Sequence, residues 1–180
     1  RIPDMKVHQN DLVVATHGRS FWIMDNLSPL HQVNKETDEA SLYLYKPEKA
    51  YQVNPAGGGD AEDREPEGRK GGAAIDYFFR EKADTTVTLE ILTEKGEVLR
   101  SYTSDSTGAK EDEEPVLPVK EGHTRFYWDF LTEGIETVDE TMLWETAGIA
   151  GVKVLPGTYQ ARLWIAGKPA GGRTYPLAGT

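Results

Sequence analysis

Glu133, Glu136, Asp139 and Glu140 share one stretch of the chain with Trp144. Two carboxylates at a fixed separation can cleave a glycosidic bond, one protonating the leaving oxygen and the other acting as base or nucleophile. An indole beside acids is also a frequent sugar contact. Catalytic carboxylates, however, must be held on rigid elements, and the only apolar anchor here is Met142-Leu143-Trp144. The stretch therefore reads as a solvated loop pinned by those three residues. Glu133, Glu136 and Trp144 are its candidate contacts for a carbohydrate or peptide, and no residue is assigned a catalytic role.

Other motifs that could carry chemistry are weaker. His8, His17, His31 and His123 show no metal-ligand spacing. His17 sits in a short polar connection, where a hydrogen-bonded turn cap is the simplest role. Glu111-Asp112-Glu113-Glu114 lacks the alternation and glycine of a calcium loop. Gly57-Gly58-Gly59 follows no strand and precedes no Lys-Ser/Thr, so it is not a phosphate loop. Asn26-Leu27-Ser28 matches a glycosylation sequon by pattern alone. Neither a metal nor a cofactor is expected.

The formal net charge of -10 is concentrated in two acidic stretches, 105–121 and 129–145. A surface of that sign repels phosphate backbones, so no nucleic-acid partner is expected. Cysteine is absent, which excludes disulfides and thiolate metal sites and leaves the compartment open. No apolar run is long enough to span a bilayer. The chain opens on Arg1 without a signal-like stretch and reads as a piece of a longer protein.

Strands must position whatever these residues do. Asn10–Thr16 and Phe21–Asp25 are apolar runs joined by His17-Gly18-Arg19-Ser20, which predicts a hairpin. Ser28-Pro29 predicts a helical turn over Pro29–Val33, Asn34–Glu39 reads as polar loop, and Ser41–Tyr45 reads as a third strand beside the hairpin. Residues 46–72 hold almost no core formers and read as a Gly- and charge-rich linker. From Ala73 onward, short alternating segments recur between turn signals, as in an immunoglobulin-like sandwich. The expected core is Ile75, Tyr77, Phe79, Val87, Leu89, Ile91, Tyr159, Ala161, Leu163 and Ile165, with Phe126 and Trp128 between the sheets. Val116–Val119 suits an edge because of Pro118. Pro156-Gly157 predicts a type II turn opening the strand Gly157–Ala166, and Thr124–Phe130 is its expected partner. Tyr159, next to that turn, could tie strand to loop through its hydroxyl. The hairpin residues Val13, Phe21, Trp22 and Ile23 would need cover, from the sandwich or from a second copy.

Several motifs carry a family resemblance. Asn10 to Asp25, running into Leu27-Ser28-Pro29-Leu30, resembles the final blade of bacterial BNR-repeat, sortilin-like β-propeller proteins often labelled glycosyl hydrolase. Ser41–Pro47 is similar to the segment by which such chains leave the propeller. Trp128-Asp129, Met142-Leu143-Trp144, Pro156-Gly157-Thr158-Tyr159, Arg162-Leu163 and Gly167-Lys168 resemble the immunoglobulin-like module after these propellers and in flagellar hook-capping proteins. One departure is plain: Thr16 stands where the Asp of a BNR blade turn would be, and only Gly18, Ser20 and Phe21 of that motif remain. The resemblance implies an all-β chain with residues 1–45 as a remnant of the last blade, 46–72 as linker and 73–180 as an immunoglobulin-like β-sandwich. It further implies a non-catalytic accessory module of a secreted, periplasmic or extracellular protein, packing on or presenting its upstream propeller. The alternatives are the C-terminal part of an enzyme whose active site lies in that propeller, or a carbohydrate-binding module. Sialidase-like chemistry needs several arginines, and only Arg1 and Arg19 lie in the propeller-like part.

Overall fold

In a computed structural model, the described residues are 3–52, 71–105, 107, 116–134, 151–166 and 168–179, the last group and Asp38 by backbone alone. Ten strands and two short helices follow in the order β1 (Asp4–His8), β2 (Asp11–Ala15), β3 (Phe21–Met24), α1 (Ser28–His31), α2 (Lys35–Glu39), β4 (Leu42–Leu44), β5 (Ala73–Phe79), β6 (Val87–Thr93), β7 (Val98–Thr103), β8 (Gly122–Trp128), β9 (Gly157–Ile165) and β10 (Lys168–Gly179). The chain is all-β in class and divides into two compact units, with the boundary between Glu39 and Ala40.

The first unit is built on a three-stranded antiparallel sheet, β1-β2-β3. The expected hairpin is its β2–β3 half, and β1, which the sequence pattern does not predict, is its third strand. Gly18 adopts φ +82° in the connection, a conformation that suits glycine. The Thr16 hydroxyl donates to the Ser20 carbonyl at 2.9 Å, and the Trp22 indole donates to the Arg19 carbonyl at 3.1 Å. Thr16, rather than the exposed His17, therefore closes the turn. The register places Met5, Val7, Leu12, Val14, Trp22 and Met24 on one face, all of them apolar. The opposite face carries Asp4, Lys6 and His8 along β1 and Asp11 at the start of β2, but Val13, Ala15, Phe21 and Ile23 along the rest of β2 and β3.

Asn26 fastens the end of β3. Its amide oxygen accepts from the Asn10 side chain and the Ser28 N–H, each at 3.0 Å, and its own N–H donates to Asp11 at 2.8 Å. Being buried and engaged, Asn26 is a structural residue of the folded chain rather than a glycan acceptor. A helical turn forms near the expected one, but as α1 over Ser28–His31 rather than Pro29–Val33. Ser28 is its first residue instead of its N-cap, the N-cap is Leu27 without a side-chain cap bond, and Pro29 lies in the first turn. Segment 34–39, expected as loop, holds α2 because Asn34 caps it: its side-chain oxygen accepts the N–H groups of Glu36 and Thr37 at 2.8 and 3.1 Å. Thr37 returns a hydrogen bond by accepting the Asn34 N–H at 2.8 Å, as in a capping box.

The second unit is a sandwich of a four-stranded sheet, β10-β9-β6-β7, and a three-stranded sheet, β4-β5-β8, both antiparallel. Two expectations about pairing are corrected. Ser41–Tyr45 does not extend the N-terminal hairpin: β4 pairs with β5, and Leu42 and Leu44 join the sandwich core. Nor does Thr124–Phe130 pair with Gly157–Ala166. β8 lies beside β5, while β9 lies between β6 and β10 in the opposite sheet. The two strands meet across the interior instead, where the rings of Trp128 and Tyr159 stand edge to face at 5.3 Å.

The core follows the alternation. Ile75, Tyr77, Val87, Leu89, Ile91, Trp128 and Ala161 are wholly buried, with Phe79, Leu163 and Phe126 nearly so; Tyr159 and Ile165 pack at its margin. Val116–Val119 forms no strand, but Leu117 is buried and its N–H donates to the Thr103 carbonyl at 2.8 Å. Gly157 lies outside the positive-φ region, so the type II turn does not form, and Gly157 is the first residue of β9. The Tyr159 hydroxyl donates to the Leu155 carbonyl and ties strand to loop. Gly72, at φ +113°, has no room for a Cβ, which would overlap the Trp128 carbonyl.

Candidate functional site

Of the three candidate contacts, Glu133 is described, whereas Glu136 and Trp144 lie outside the described residues, as do Asp139 and Glu140. Glu133 sits on a narrow stem. The Val154 N–H donates to Phe130 at 2.8 Å, Thr132 and Val152 are joined by two bonds of 2.9 Å, and Leu131 bridges to Lys153. Gly151 allows this approach, since a Cβ there would overlap the Thr132 carbonyl. At the base of the stem, Asp129 accepts the Leu131 N–H at 3.1 Å, and Phe130 takes φ +65°.

Glu133 then works as an edge cap. Its N–H donates to the Leu99 carbonyl at 2.9 Å, and its carboxylate accepts the Ser101 N–H at 3.2 Å, so it occupies the open side of β7. A carboxylate used in this way has a structural role that its acidic neighbours in sequence did not suggest.

The polar groupings that the fold does assemble went unread in the sequence. On the outer face of β5 and β8, Asp76 is buried, and its Oδ1 receives both the His123 Nε2 at 2.7 Å and the Arg125 Nε at 2.8 Å. Asp76 lies directly opposite Arg125 in the register, with His123 two residues along on the same face. Burial alone would lower the Arg125 pKa; the hydrogen bond and charge of Asp76, followed by those of Tyr127, outweigh it and raise the value. With two donors on one oxygen, Asp76 reads as the anchor of an ion-pair cluster rather than as a poised base.

A second grouping lies on the outer face of β6 and β9. Glu90 Oε2 accepts from Arg162 Nε at 2.8 Å and from the Trp164 indole at 2.5 Å, and the guanidinium stacks over that indole at 4.7 Å. A third joins Arg100, buried on β7 and stacked over Tyr102, to Asp129 at 3.3 Å. An open depression of about 590 Å³ at one end of the sandwich is lined by Lys82, Asp84, Thr86, Ser104, Asp105 and the segment 116–119. Asp105 is held below the usual carboxylate range by hydrogen bonds from the Thr107 side chain and then its backbone. Ser104 is already engaged, its hydroxyl accepting the Val87 N–H at 2.9 Å.

Among the described residues, no group of three His, Asp or Glu side chains is placed to hold a metal ion, and no helix is long and apolar enough to cross a membrane. The runs Asp60–Glu67 and Glu111–Glu114 lie outside the described residues. No protein-family model, curated protein or solved structure matches the chain.

Proposed function

We propose that the chain is a non-catalytic interaction module: a β-sandwich that carries a β-sheet layer belonging to a larger stack of sheets, in the manner of a last blade on a β-propeller. One observation carries the reading. β3 presents apolar side chains on both of its faces, and all are exposed: Phe21 75%, Trp22 64%, Ile23 63% and Met24 50%. A sheet with one wet face would alternate apolar and polar residues. A strand apolar on both sides suits a layer covered from both sides, which blades on either side of it would do. Contiguous apolar exposure of this kind marks an interaction surface.

The polar groupings agree with a structural role. Asp76, Glu90 and Asp129 are each engaged by a cation, and Glu133 caps a sheet edge. The surrounding protein is then secreted, periplasmic or extracellular, as the resemblance implies, and any catalysis or sugar recognition belongs to its propeller.

Amide hydrogen exchange tests the proposal. Phe21–Met24 amides should exchange rapidly in the 180-residue chain and become strongly protected in a version extended upstream through the adjoining sheets. Equal, rapid exchange in both overturns the layer reading. Turnover of a glycoside or sialoside by the purified chain, lost in Glu133→Gln or Glu136→Gln, overturns the non-catalytic one.

A further inference from the structure

No further inference is drawn: the strongest candidate, the wholly apolar face of the N-terminal sheet carried by Met5, Val7, Leu12, Val14, Trp22 and Met24, belongs to the reading already proposed, and nothing in the structure shows what covers it.

Discussion

Two three-stranded antiparallel sheets in this chain, β1-β2-β3 and β4-β5-β8, differ in what happens to their apolar side chains. In the second, Ile75, Tyr77 and Trp128 are wholly buried; in the first, Phe21 and Trp22 are 75% and 64% exposed. Strand propensity does not separate them, since FWIM is as aromatic and apolar as the inward residues of β5 or β8. The difference is a second layer. β4-β5-β8 packs its inner face on β10-β9-β6-β7, and cover rather than pairing supplies most of a sheet's stability. The edges of the two units differ as well. In the sandwich, the edge strand β7 of the four-stranded sheet is closed by Leu117 and Glu133, whereas β3 carries no charge, proline or bulge along its length.

The largest effect expected from breaking this contrast comes from where the chain is cut. Removing residues 1–45 takes β4 with it, and so Leu42 and Leu44, whose loss is worth about 2–5 kcal/mol each as large-to-small core changes go. That is comparable with the entire stability of a small domain, about 5–15 kcal/mol. The truncated protein should be unfolded by circular dichroism. A cut after Glu39 spares β4, and the sandwich should keep its cooperative transition. If both truncations melt alike, β4 is not the structural strand its pairing indicates.

Single substitutions sharpen the same comparison. Trp128→Ala should cost about 3–5 kcal/mol and Leu163→Ala about 2–5 kcal/mol in urea unfolding. Trp22→Ala, at an exposed site, should stay within about 0.5 kcal/mol. A loss below about 1 kcal/mol for Leu163→Ala would remove it from the core. A large loss for Trp22→Ala would mean that the N-terminal sheet is covered in solution.

What the sequence made legible divides along the same line between local and non-local causes. Alternation is local, so the inward faces of β5, β6 and β9 could be read directly from Ile75-x-Tyr77-x-Phe79 and its counterparts. Pairing is not local. SLYLY shows which of its residues share a face but not which sheet receives them, and nearness in sequence alone puts β4 beside the hairpin. The same limit applies to β8 and β9, because two amphipathic strands can meet edge to edge or face to face. Asp76 and Arg125 are separated by 49 positions, so nothing short of the β5–β8 register could bring them together. α2 was legible in principle: Asn34 followed by Thr37 is a capping signal, and it was outweighed by the polar character of the segment. The charge of Glu133 is visible in the sequence, while its use is decided by a strand edge that sequence alone does not display.

Smaller effects belong to the polar groups of the covered sheet. Asp76→Ala would leave Arg125 without its carboxylate partner. Breaking a fully buried pair costs about 3–5 kcal/mol. The side chains of Arg125 and His123 are 19% and 46% exposed, so water takes up part of the loss. A cost of about 2 kcal/mol is expected, largely recovered in Asp76→Asn if hydrogen bonding outweighs charge. Equal losses in the two variants would show that charge is the larger contribution.

A smaller effect within the covered sheet is the most selective. Tyr77 is wholly buried and its hydroxyl donates to the Pro118 carbonyl at 2.7 Å, fastening β5 to the segment that shields β7. Burial raises its pKa above the ordinary 10.0, because an uncovered phenolate is better solvated than a buried one. The folded state therefore holds the proton more tightly than the unfolded state. The resulting stability is complete below pH 10.0 and falls as the pH rises above it. Tyr77→Phe should cost about 1 kcal/mol at neutral pH through the lost hydrogen bond. It should also flatten the alkaline decline, so that wild type and variant converge as the pH climbs. The N-terminal sheet contains no tyrosine between Asp4 and Met24, so no phenol of its strands contributes to this decline. Denaturant midpoints of the two proteins between pH 7 and about pH 11 would measure it; parallel curves would show that the Tyr77 phenol is not protected by the sandwich.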